Sequence, residues 1–191
     1  MTSKMTNKPR IIIGIDPDVE SSGLGIVNIS SNGKVVTTYS HHPLPELVNT
    51  LVLLTADQRR PQSLTDKIIY DKPPLPEIHI YIEAGWLNQG NWHISPRDSR
   101  QAAAAKGRSA GRNHQLGLDL CALLNHQGIK HQLIKPLQKC WKGKDRKITH
   151  SELDTIVRWV NREGLPRKRS NQEERDALLI AWVQSGLPIR C

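Results

Sequence analysis

The chain has no phenylalanine, and its aromatic content rests on five tryptophans and three tyrosines. Cysteine is scarce as well. Cys121, Cys140 and Cys191 are odd in number, far apart and without a Cys-x-x-Cys pair, which argues against a disulfide framework and against a thiolate zinc site. A reducing, cytosol-like compartment is the default expectation. Long apolar runs are missing too. The longest near the start is Ile11–Ile13, far short of the roughly 18 residues of a membrane span and of the apolar core of a secretory signal. The sequence therefore predicts a cytoplasmic protein with no membrane association. There are no internal repeats. What is present is 191 residues at 37% hydrophobic content, enough for one domain with a real core.

Charge is abundant and one-sided. Lys and Arg total 27 against 18 Asp and Glu, a net charge of +9. Residues 1–96 are nearly balanced and so are residues 148–191, while residues 97–147 carry 12 basic and 3 acidic side chains. A concentrated basic block points to a polyanionic partner, most often nucleic acid. The competing reading is a solvated basic surface that serves solubility.

Residues 1–9 are polar and read as a flexible tail, with residues 10–191 as a single domain. Arg10–Asp16 is nearly all apolar, as in a strand buried on both faces. Leu24–Ile29 and Val35–Tyr39 read as two more strands, joined by a Ser31-Asn32-Gly33 hairpin signal. Leu44–Ala56 reads as a helix, residues 57–77 as a long Pro-rich loop, and Ile78–Glu83 as a fourth strand. A helix is expected to start near Asp98 or Ser99 and to be broken around Gly107–Gly111. Leu116, Leu120, Leu123 and Leu124 then follow helical spacing, with Gly128 past the end. Lys130–Lys135 reads as a short strand, and Thr149–Asn161 and Asn171–Gln184 as helices. The order predicts one α/β domain with a mixed sheet.

Carboxylates stand where a core would not want them. Asp16 ends the first strand, Glu83 ends the fourth, and Asp176 precedes the apolar stretch Ala177–Ala181, with Glu173 one turn earlier on the same helical face. Burying several of them together is costly unless cations share the site. Mg²⁺ prefers such hard oxygen ligands, and two ions about 4 Å apart can activate water and stabilise the leaving oxygen of a phosphodiester. Each acid also has a plainer reading. Asp16 before Pro17 opens a turn, and Glu83 is a strand-end surface charge. Ser170-x-x-Glu173 matches a capping box, and Asp176 complements a helix dipole. His79 and the His41-His42 pair read as structural.

Gly14-Ile15-Asp16-Pro17-Asp18, then Gly23-Leu24-Gly25, Ile82-Glu83 and Glu173-x-x-Asp176-Ala177-Leu178 together resemble the RuvC-like Holliday-junction resolvases of the RNase H superfamily. Trp141-Lys142, after a strand and a proline, is similar to the phage and plastid branches. The likeness runs in order over residues 10–185. It implies an RNase H-like fold with a five-stranded mixed sheet, three antiparallel strands followed by two parallel ones, flanked by helices. It implies a homodimer that makes paired metal-dependent nicks across a four-way DNA junction, with two Mg²⁺ or Mn²⁺ held by Asp16, Glu83, Glu173 and Asp176. Glu174 is the neighbouring candidate for the fourth acid. The resemblance also implies an aromatic three residues after the second acid that stacks on junction bases, here Trp86, with Trp92 as an alternate. Arg108, Arg112, Lys142, Lys144, Arg146 and Lys147 are candidates for gripping phosphates, which positions DNA without reading its sequence. By the same analogy the dimer surface includes the helix around Leu116–Leu124.

Three rivals remain open on the sequence. An actin-like ATPase would need a second similar half, for which 191 residues look too short, and a Gly-rich phosphate loop, which the second half of the sequence lacks. A catalytically silent nucleic-acid-binding protein with this fold has no need of four acids. An RNase H-type nuclease acting on hybrids or other branched substrates shares most of the signal.

Overall fold

The computed structural model describes residues 8–59, 75–88 and 97–189. Its centre is the apolar run read from the sequence. β1 (Arg10–Asp16) is buried along Ile12–Ile15. It pairs antiparallel with β2 (Ser22–Ile29), which pairs antiparallel with β3 (Val35–His42) through the turn at Gly33, φ +82°. On its other side β1 pairs in parallel with β4 (Glu77–Glu83), and β4 pairs in parallel with the short β5 (Gln132–Ile134). The sheet order is β3-β2-β1-β4-β5. This is the mixed five-stranded sheet expected of an RNase H-like fold.

Strand alternation divides the core in two. One sheet face carries Ile13, Ile15, Leu24, Ile80 and Ile82. It packs on Leu47 and Leu51 of α1 (Leu44–Arg59) and on Leu120 and Leu124 of α2 (Arg100–His126). The other face carries Ile12, Val27, Val35 and Tyr39. It packs on Leu153, Ile156 and Val157 of α3 (His150–Arg158) and on Leu178, Leu179 and Trp182 of α4 (Gln172–Gln184). Helices thus cover both faces, which is why β1 lacks a polar side.

α4 lies against β1 and β2 at a distance that admits no side chain between them. A Cβ on Gly14 would strike the Ala177 carbonyl, one on Gly23 the Glu173 carbonyl, and one on Gly25 the backbone of Leu178. Gly14 and Gly25 are register partners, as are Asp16 and Gly23. The glycines that recur in the two sequence motifs therefore form the bed of α4.

Two sequence expectations need correction. α2 is unbroken from Arg100 to His126. Gly107 and Gly111 each cost about 1 kcal/mol relative to alanine, too little to end a helix that Ser99 caps and Ala102–Ala105 and Ala110 support. It stops where expected, at Gly128, φ +66°. The capping box of α4 is Asn171 with Glu174, not Ser170 with Glu173. The Glu174 N–H donates to Asn171 Oδ1 at 2.8 Å, and the Asn171 N–H donates to Glu174 Oε2 at 3.0 Å. Among the smaller differences, α1 runs on to Arg59. Residues 60–74 of the expected loop, Trp92 and residues 1–7 lie outside the described residues. Among the described residues no helix is long and apolar enough to cross a membrane.

Candidate active site

Asp16 and Glu83 are brought together by the sheet alone. Ile15 of β1 is level with Ile82 of β4, so the next residue of each parallel strand leaves the sheet at the same end. Both project from the face that α4 covers, because they alternate with Ile15 and Ile82, which point to the opposite layer. α4 then lays Asp176 over them. The three carboxylates line one cavity of about 80 Å³, together with Lys139, Trp141, Lys147 and Ile148.

Burial and neighbouring charges set the electrostatics of these acids. Burial pushes the Asp16 carboxyl well above its usual range; the charges of Glu83, Asp176 and Glu173 raise it further, against the pull of Lys147. Burial likewise raises Glu83, with the Asp176 charge adding to it. The Leu137 backbone N–H, Lys139 and Lys147 act in the opposite direction. Asp176 is raised by burial and partly relieved by Lys147 and Gln172. The Lys147 Nζ lies 3.5 Å from Asp176 Oδ2. Carboxylates raised by burial are destabilised in their charged form, and their hard oxygens are donors of the kind that could hold Mg²⁺ or Mn²⁺. Among the described residues, no group of three or more His, Cys, Asp or Glu side chains is arranged so that it could hold a metal ion as it stands.

The two candidates for the fourth acid stand in different surroundings. Glu174 is buried and committed: Oε2 takes the capping bond, and Oε1 accepts from Arg167 Nη2 at 2.7 Å and meets His41 Nδ1 at 2.9 Å. Burial would raise its pKa, but these hydrogen bonds hold it below the ordinary carboxylate value. Glu173, relieved of capping, is half-buried and does not line the pocket, although its charge adds to the rise at Asp16. His41 is thereby a structural partner of Glu174. Asp18, the second acid of the first motif, is also structural. Its carboxylate accepts from the Glu20 N–H at 3.0 Å and from Asn113 Nδ2 at 3.2 Å.

Trp86 follows β4 in a short 3₁₀ turn, Gly85–Leu87. Its ring packs on Gly117 of α2, where a Cβ would collide with it, and meets the His114 ring edge-on at 6.3 Å. The indole is half-buried.

The basic candidates separate into two groups. Lys147 enters the pocket, while Lys142, Lys144 and Arg146 stay exposed on the loop that leads to it. That loop is tightly wound. The Trp141 N–H donates to the Arg146 carbonyl, the Gly143 N–H to the Lys147 carbonyl, and Lys142 N–H to Glu152 Oε1 at 3.0 Å. Asp145 and Arg146 adopt left-handed backbone, φ 55° and 58°, a strained choice for residues other than glycine that is characteristic of functional loops. Arg108 and Arg112 are exposed on α2 and do not line the pocket.

Sequence reasoning missed Lys139, Asn113 and His114. A second cavity joins Asp16, Pro17 and Glu83 to Ala110, Asn113 and His114 of α2, with Lys139 shared between the two openings. Lys139 stood in the basic block without being singled out, and nothing local marks the α2 pair.

Fold and site together define a class: an RNase H-like α/β domain with a carboxylate-lined pocket at the carboxyl ends of its two central parallel strands. Among solved structures, the chain is similar to Thermus thermophilus RuvC at 16% identity, covering 93% of this chain and 97% of that one with a TM-score of 0.39. It is similar to T. thermophilus RuvC in complex with its Holliday junction substrate at 17% identity, with the same coverage and TM-score. It is also similar to the yeast mitochondrial Holliday junction resolvase Ydc2 at 13% identity, covering 88% of this chain and 76% of that one with a TM-score of 0.31. No family profile and no curated protein matches the chain. The functional reading therefore rests on the site's own residues.

Proposed function

We propose that the protein is a metal-dependent, structure-specific endodeoxyribonuclease that resolves four-way DNA junctions by paired symmetric nicks. The observation that carries this reading is the convergence of Asp16, Glu83 and Asp176 in one pocket, where burial raises all three pKa values and neighbouring carboxylates raise those of Asp16 and Glu83 further. Asp16, Glu83, Glu173 and Asp176 would hold two Mg²⁺ or Mn²⁺. Bound there, the ions supply a water acidified to near neutral pH and a counter-charge for the leaving oxygen. The chain's own part is to fix the carboxylates from three elements, to set Lys139 and Lys147 where a scissile phosphate would approach, and to close the floor of the site with the apolar core. The exposed Lys142, Lys144 and Arg146, with Arg108 and Arg112, would hold flanking phosphates. Trp86, three residues after Glu83, would stack on an unpaired base, an interaction worth about 1–3 kcal/mol. Each chain carries one such pocket, so two symmetric nicks call for a homodimer.

The test compares three labelled substrates in Mg²⁺: a synthetic four-way junction, a linear duplex of the same sequence, and an RNA–DNA hybrid. Paired nicks at symmetric positions of the junction, with little cutting of the others, are expected. Preferential cutting of the hybrid would move the assignment to another RNase H-type nuclease. Junction binding without any cutting would favour a silent binder.

A further inference from the structure

Asp176 lies in the second turn of α4, on a side chain that rotates freely unless something holds it. Gln172, one turn earlier, donates from Nε2 to Asp176 Oδ1 at 2.7 Å. Gln172 Oε1 in turn accepts from Arg175 Nη2 at 2.8 Å. Arginine can only donate. A Gln172 amide turned the other way would set its NH₂ against the guanidinium and its oxygen against a carboxylate. One orientation alone satisfies both neighbours, and it aims a donor at Asp176. Arg175 is itself pinned, with Nε donating to the Ile148 carbonyl at 2.9 Å and Nη1 to the Ser170 carbonyl and, at 3.4 Å, to Ser170 Oγ.

We infer that Gln172 is a positioning residue for the metal centre: it fixes Asp176 so that Oδ1 is engaged on the helix and Oδ2 is presented to the pocket, beside Lys147. Arg175 holds Gln172 and, by the same guanidinium, the carbonyl of Ile148, the residue after Lys147. The acid on α4 and the cation on the loop are thereby kept in step. The hold on Asp176 is independent of any ion; its consequence for metal binding rests on the function proposed above.

Gln172→Met in the full chain keeps the side chain's length and removes its donor and acceptor. In the metal-free protein, three-bond NMR couplings should report one χ1 rotamer for Asp176 in the wild type and an averaged value in the variant. Mn²⁺ titrated without DNA should bind at least about tenfold more weakly to the variant, the usual scale for losing a partner of a metal ligand. A retained single rotamer overturns the inference whatever the Mn²⁺ result. An averaged rotamer with unchanged Mn²⁺ affinity overturns it too, and leaves Gln172 as a helix-surface pair. If the wild type takes up no Mn²⁺, the metal-centre reading fails, and the rotamer alone still decides whether Gln172 holds Asp176.

Discussion

At the scale of single residues, the acids of the pocket are a burden on the fold. Asp16, Glu83 and Asp176 have ordinary values of 3.8, 4.5 and 3.8 and are all raised, first by burial. A carboxyl with a higher pKa folded than unfolded makes the folded state bind more protons, so its contribution to stability falls as pH rises from the unfolded value through the folded one. Glu152, Asp154 and Glu174 are lowered instead and work in the opposite direction. They are common to wild type and Asp16→Asn, so the difference between the two proteins isolates Asp16. Without metal, Asp16→Asn is expected to match the wild type at pH near 4 and to melt increasingly higher as pH rises toward neutrality, by about 2–4 °C for each kcal/mol relieved. Thermal melts across that range check it, and a variant that melts lower at neutral pH would contradict it. Trp86, proposed to stack on a base, is the second residue to test. Trp86→Ala should weaken junction cutting while Mn²⁺ binding stays as in the wild type. An unchanged cutting rate would remove its stacking role.

At the scale of elements, the seat of α4 decides the geometry of the carboxylate pocket. Gly25→Ala puts a methyl group into the backbone of Leu178. Such overpacking costs about 1–3 kcal/mol, and the helix that moves carries Glu173 and Asp176. A melting temperature lower by several degrees, together with weakened Mn²⁺ binding, is expected; wild-type values for both would mean that α4 does not need its glycine bed. Much of this was legible in the sequence. β1 was readable to the residue because an uninterrupted apolar run between Arg10 and Asp16 leaves a buried strand as the sole reading. The cap of α4 was misread because Ser170-x-x-Glu173 and Asn171-x-x-Glu174 have the same spacing. What separates them is His41, 133 positions away, and Arg167, both of which bond Glu174. Gln172, Lys139 and Asn113 were invisible for the same reason: their neighbours are set by the fold and not by the local chain.

At the scale of the molecule, an acidic pocket is bordered by basic segments. Residues 97–147 hold the whole excess of positive charge, yet the structure spreads them over α2, β5 and the loop that ends in Lys147. Binding that neutralises several phosphates weakens linearly on a plot of log affinity against log salt. A steep slope is expected for the junction, reduced by about one for each phosphate-contacting lysine removed. A flat response would contradict the basic surface as a DNA grip. The proposed metal site and the proposed DNA grip can fail separately, and the most direct test uses that. A labelled four-way junction is incubated in Mg²⁺ with wild type and with Asp16→Asn, and binding and cutting are measured side by side. Equal binding by both proteins and symmetric nicks by the wild type alone are expected; cutting by Asp16→Asn at the wild-type rate would contradict the proposed metal site.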